Sequence, residues 1–120
     1  MTKIVGTISP TVESTLGITS PNDRNIYLGD TNIQHMKNSH PGDYEKYKDE
    51  LVNILSNPDY IGLIPSDSSI EYVKEFLHDN EYVKVAVRVS SGDRYFARSM
   101  YILNNKRVNN FIAKGTLKKT

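Results

Sequence analysis

From residue 82 to 89 the chain alternates strictly. Val83, Val85, Val87 and Val89 fall on one side of an extended strand, and Lys84, Ala86 and Arg88 on the other. After the turn-forming "SSGD", the segment "RYFARSMYIL" (94–103) runs back as the second arm of a hairpin. Regular alternation there puts Phe96, Arg98, Met100 and Ile102 on one face. Tyr95, Ala97, Ser99, Tyr101 and Leu103 take the other. Helical spacing replaces alternation in "DYEKYKDELVNILSN", where Tyr44, Tyr47, Leu51, Ile54 and Leu55 form one stripe behind an acidic first turn. A shorter helix fits "NIQHMKN", capped by Asp30 or Thr31, burying Ile33 and Met36, and stopped by Pro41 and Gly42. Near the end, Val108, Phe111 and Ile112 mark a last helix with Gly115 as its stop, followed by the basic tail "TLKKT".

"KIVGTIS", "IYLGD" and "YIGLIP" read as short strands, and Ser9, Pro10 and Gly17 frame a short helix. "SSIEYVKEFL" is two-sided. Ser68 and Glu71 make a capping-box pattern, whereas its alternation and the following "HDNE" favour a hairpin arm, the reading preferred here. The turn "SPNDRN" separates an arm, residues 1–20, packed on a core domain, residues 21–120. The expected class is α+β. N-terminal helices cover one face of an antiparallel sheet, a short helix follows at the C-terminus, and Lys84 and Arg88 project from an open face.

Composition narrows the function. One hundred and twenty residues make one domain with a real core. Cysteine is absent, which removes disulfides and thiolate zinc sites and fits a cytoplasmic setting. No apolar run is long enough for a membrane span, and the first residues lack the apolar core of a secretory signal. The net charge of +1 conceals a split. Residues 1–83 hold 6 Lys/Arg against 13 Asp/Glu, and residues 84–120 hold 9 against 1. Either the basic half meets an acidic partner such as nucleic acid, or the halves neutralise each other in space.

"QHMKNSHPGD" carries His35 and His40. A zinc pair on a helix sits four apart, whereas five residues turn the side chains about 140° from each other, so the spacing does not select a metal. Asp43 or Glu45 would have to supply a third ligand, and no metal or cofactor is expected. Histidines do suit proton transfer near neutrality. Metal-free cleavage of RNA needs a base for the 2′-hydroxyl, an acid for the leaving oxygen, and cations for the charged intermediate. Arg98 stands in an apolar row, a costly place unless it pairs with an acid such as Asp59 or Glu71 or meets a phosphate. Arg98 and Ser99 enter one site only if the strand carries a bulge. Of the two histidines, His35, on the ordered helix, is the one expected to reach the hairpin.

"NIYLGDTNIQHMKNSHP", "ILSNPDYIG" and "VKVAVRVSSGDRYFARSMYIL" in this order resemble the phage-associated branch of the barnase–EndoU–colicin–RelE (BECR) nuclease superfamily, over residues 4–118. That branch shows H-x-x-x-x-H-P, then N-P-D, then a hairpin ending in Arg-Ser/Thr-x-Tyr. The resemblance implies an α+β fold and a metal-independent RNA endonuclease, a phage or toxin effector leaving a 2′,3′-cyclic phosphate. His35 and His40 become acid–base candidates, Arg98 the phosphate ligand, Ser99 a positioning hydroxyl and Tyr101 the following aromatic. Lys84 and Arg88 join as RNA-binding residues from strand facing alone. RNA is the expected partner, and the sequence leaves open an immunity or antitoxin protein. Two rival readings remain: a catalytically inactive RNA- or protein-binding module of the same fold, and a phage structural or anti-host protein using the acidic half.

Overall fold

Val83, Val85 and Val87 are fully buried, and the sheet is organised around them. The computed structural model describes residues 2–90 and 93–120. Its strands are β1 (Lys3–Thr7), β2 (Asn25–Leu28), β3 (Tyr60–Ile64), β4 (Ser69–Phe76), β5 (Glu81–Ser90), β6 (Arg94–Leu103) and β7 (Leu117–Lys119). Its helices are α1 (Pro10–Leu16), α2 (Asp30–Ser39), α3 (Pro41–Tyr47), α4 (Leu51–Ser56) and α5 (Asn105–Ala113), with a 3₁₀ turn at Lys48–Glu50. The strands form one sheet in the order β1-β2-β6-β5-β4-β3-β7. The turn expected at 90–93 falls partly on Ser91 and Gly92, which lie outside the described residues.

One face of β5 packs with Val12 of α1, Met36 of α2, Tyr47 of α3, and Leu51, Ile54 and Leu55 of α4 in a single core cluster. Burying these apolar stripes is what holds short helices that would be marginal in isolation. The 3₁₀ turn divides the helix expected over 43–57 into two. Tyr47 anchors α3 to the β4–β5 hairpin, its hydroxyl donating to Glu81 at 2.6 Å.

The sheet departs from the expected layout in three ways. It is not wholly antiparallel: β2 lies parallel to β6 through Ile26–Tyr95 and Tyr27–Phe96. The far face is not wholly open either, because the stripe of α5 must also be buried. Val108 joins Val73, Leu103 and Leu117 in a second cluster, with Phe111, Ile112, Tyr60, Tyr82 and Tyr101 around it. Last, the basic tail is strand β7, antiparallel to β3, held by buried Leu117.

Val5, Ile8 and Val12 lie in the same core cluster as the helices, and β1 pairs with β2 through Lys3–Leu28 and Thr7–Asn25.

Candidate functional site

The hairpin is irregular at the position that matters. Ala86 pairs with Ser99 but Val87 pairs with Ala97, so Arg98 is an extra residue in β6. Such a bulge resets the side-chain alternation. Tyr95, Ala97 and Met100 enter the valine core with Ile102 beside them. Phe96 lies beside Arg88, Ser99 beside Ala86, and Tyr101 beside Lys84, all on the opposite face. The regular alternation expected from the sequence is therefore wrong across this strand. Arg98 does not stand in an apolar row with Met100 and Ile102, and it lines a cavity with Phe96.

His40 reaches this face from the junction of two helices. It ends α2, its N–H donating to the Met36 carbonyl, and its own carbonyl accepts from Tyr44 as α3 begins. Pro41 occupies the first position of α3, so it opens a helix as well as closing one. Asp43 fixes this junction to the sheet. Its Oδ2 accepts the Ile102 N–H at 3.0 Å. This acid is a clamp, and among the described residues no group of three or more His, Cys, Asp or Glu is arranged to hold a metal ion. The His40 ring consequently stacks on Tyr101, with centroids 4.6 Å apart and planes 22° from parallel.

Tyr101 in turn meets Lys84, whose Nζ lies 4.9 Å from the ring centroid. The same ammonium donates to Glu71 Oε2 at 2.7 Å, and both side chains are about nine-tenths covered. Burial is the largest influence on Lys84 and acts against its charge. The hydrogen bond to Glu71, the Tyr101 hydroxyl and the Glu71 charge outweigh it, so the pKa is raised. Lys84 is thus a fixed cation at neutral pH and unsuited to act as a base.

The other sequence candidates are less closely gathered. His35 is exposed on α2, its Nε2 3.5 Å from Ser39 Oγ, and it is His40, not His35, that lies on the hairpin aromatic. Arg88 faces Asp67 at 3.5 Å on the exposed rim. Ser99 is half-buried between Tyr101 and the bulge. Neither acid proposed for Arg98 serves it: Glu71 holds Lys84, and Asp59 Oδ2 accepts the Glu75 N–H at 2.7 Å. The "NPD" segment is structural here. Asn57 caps α4 and the Pro58 carbonyl accepts from the Thr120 hydroxyl.

Sequence reasoning missed Glu71 as the partner of Lys84. Its strand register was the available signal, since Glu71 pairs with Ala86 and lies diagonal to Lys84 on one face.

A sheet face that gathers a histidine, a tyrosine and several cations is compatible with a nucleic-acid surface. Residues 2–110 match the family model described as phage-Barnase-EndoU-ColicinE5/D-RelE like nuclease3. The chain belongs to this nuclease family. No curated protein and no solved structure matches it. None of its described helices is long and apolar enough to cross a membrane.

Proposed function

We propose that the chain is a metal-independent RNA endonuclease, a phage or toxin effector acting in the cytoplasm of a bacterium or infected host. The observation that carries this reading is the stack of His40 on Tyr101 beside the Lys84 ammonium. A proton-transfer group stands there next to a permanent cation, on a face otherwise lined by Ser99, Arg98 and Arg88. In the reaction, a base removes the proton of a 2′-hydroxyl and the freed oxygen attacks the adjacent phosphorus. The P–O5′ bond breaks as an acid protonates the leaving oxygen. The products are a 2′,3′-cyclic phosphate and a 5′-hydroxyl. His40 supplies one proton-transfer group, and His35 is the candidate for the other. Lys84 stabilises the extra negative charge, Ser99 positions the phosphate, Arg98 is a ligand for a phosphate beside it, and Arg88 holds the strand at the rim. An immunity or antitoxin protein is a further partner consistent with such an effector.

Incubation with bulk RNA, with and without EDTA, tests this. Cleavage in EDTA with cyclic phosphate ends, lost in His40→Ala, is expected. Absence of cleavage at high enzyme concentration would overturn it. A second reading, a non-catalytic RNA- or protein-binding module, is favoured by the position of His35, which faces Ser39 on α2 while His40 takes the place on Tyr101. RNA binding that survives both His35→Ala and His40→Ala, with no cleavage by the parent chain, would decide for it.

A further inference from the structure

Of the hairpin cations Lys84, Arg88 and Arg98, the first two have acids. Lys84 is held by Glu71 and Arg88 by Asp67. Arg98 is half-buried and has no ion pair or hydrogen bond from its side chain among the described residues. A sheltered, unpaired guanidinium is costly unless something else answers its charge. It borders a cavity of about 580 Å³ that opens where β2 parts from β6 and α2 begins. That volume lies within the range of roughly 300–1,000 Å³ usual for small-molecule sites.

The cavity wall from β6 is Phe96 and Arg98, and Thr2, Thr31 and Ser90 add hydroxyls. Phe96 is extended sideways by Tyr27, ring centroids 5.9 Å apart, and Arg94 lies 5.3 Å over the Tyr27 ring. Asp30 also borders the cavity, so its lining is mixed in charge. An aromatic ring beside an arginine suits a ligand that brings a π-face together with its phosphate. A bare anion would be served less well. Arg98 lies three residues from Tyr101 along the strand, about 10 Å. That is too far for both to hold one phosphate and right for a neighbour.

We infer that this cavity is a subsite for one unpaired nucleotide flanking the cut, its base stacked on Phe96 and its phosphate on Arg98. This deepens, and rests on, the RNA reading above. A base can lie on an aromatic ring only when it is free of its own strand's stacking, so the preferred substrate is single-stranded RNA.

The test uses the full chain and a six-nucleotide RNA carrying 2′-O-methyl at every position, which binds but offers no 2′-hydroxyl for attack. Fluorescence anisotropy across a salt series is the readout. Arg98→Ala is expected to weaken binding about tenfold and to lower the salt slope by about one. Phe96→Leu keeps an apolar side chain in the fold. It is expected to weaken binding about tenfold with the slope unchanged. A duplex of the same sequence should be indifferent to Phe96→Leu. Wild-type affinity in both variants overturns the subsite, and loss in Arg98→Ala alone overturns the stacking. Cleavage of the unmodified strand is followed in parallel. A chain that cuts but ignores both substitutions refutes the subsite only. A chain that never cuts, yet loses binding in both variants, refutes the nuclease reading and supports the subsite.

Discussion

The ring of His40 lies on the ring of Tyr101, 4.6 Å between centroids, while Lys84 holds a second side of the same tyrosine at 4.9 Å. Tyr101 therefore orients a proton-transfer group and a cation together. Tyr101→Ala is expected to lower the single-turnover rate of RNA cleavage about 100-fold by releasing His40, on the scale of a lost acid–base group. Tyr101→Phe keeps the ring and should lose less than about tenfold. Equal losses in the two variants would move the role from the ring to the hydroxyl.

The two histidines should behave unequally. Both side chains are exposed, but His40 is fixed at the α2–α3 junction and stacked on Tyr101, whereas His35 faces Ser39 on α2. His40→Ala is expected to reduce kcat/KM by about 100- to 10,000-fold. His35→Ala should cost less. A larger loss in His35→Ala would show that the histidine on the helix, and not the one at its exit, carries the proton.

Much of this arrangement was legible in the chain because local patterns dictated it. Val83, Val85 and Val87 announced β5, and Val108, Phe111 and Ile112 the stripe of α5. The unreadable parts depend on distant pairing. Nothing local tells that β6 takes an extra residue at Arg98, so every facing assignment from Ser99 onward rested on an alternation that the bulge resets. The parallel β2–β6 contact joins segments about seventy residues apart. His40 looked like a frayed helix end because the Asp43 clamp that ties its junction to β6 spans 59 residues. β7 carries one apolar anchor, Leu117, too few for an alternation to declare itself.

Lys84 and Glu71 are a shielded ion pair, and each makes the other's charge tolerable. Glu71→Ala leaves a buried ammonium without its acid and is expected to destabilise the fold by about 3–5 kcal/mol in urea unfolding. The double variant Lys84→Met with Glu71→Leu should recover most of that, because it removes both charges from a dry site. The pH dependence has a definite sign. Lys84's pKa is raised in the fold, so its contribution is complete below the ordinary lysine value of about 10.4 and is lost as pH rises through the folded value. Urea midpoints measured upward from pH 9 should therefore fall in the wild type. A parallel fall in the double variant would assign the dependence to another group.

Gly62 is required by a crossing backbone. A Cβ there would lie 2.6 Å from the Thr116 carbonyl oxygen and 3.1 Å from Leu117 Cδ2. The first of these is main chain and cannot swing aside, and Gly62 pairs with Leu117 in the β3–β7 ladder. Gly62→Ala must therefore push the segment between α5 and β7 outward, at about 1–3 kcal/mol, the scale of overpacking. The displacement should be local. Amide hydrogen exchange is expected to quicken at Leu117–Lys119 while Val83, Val85 and Val87 stay protected. The substituted position also lies 3.5 Å from Glu71 Oε1, so loosening this crossing should expose the Lys84–Glu71 pair to water and shrink the effect of Glu71→Ala when the two are combined. Additive losses in the double variant, or unchanged exchange in β7, would show that the sheet edge gives way without the crossing.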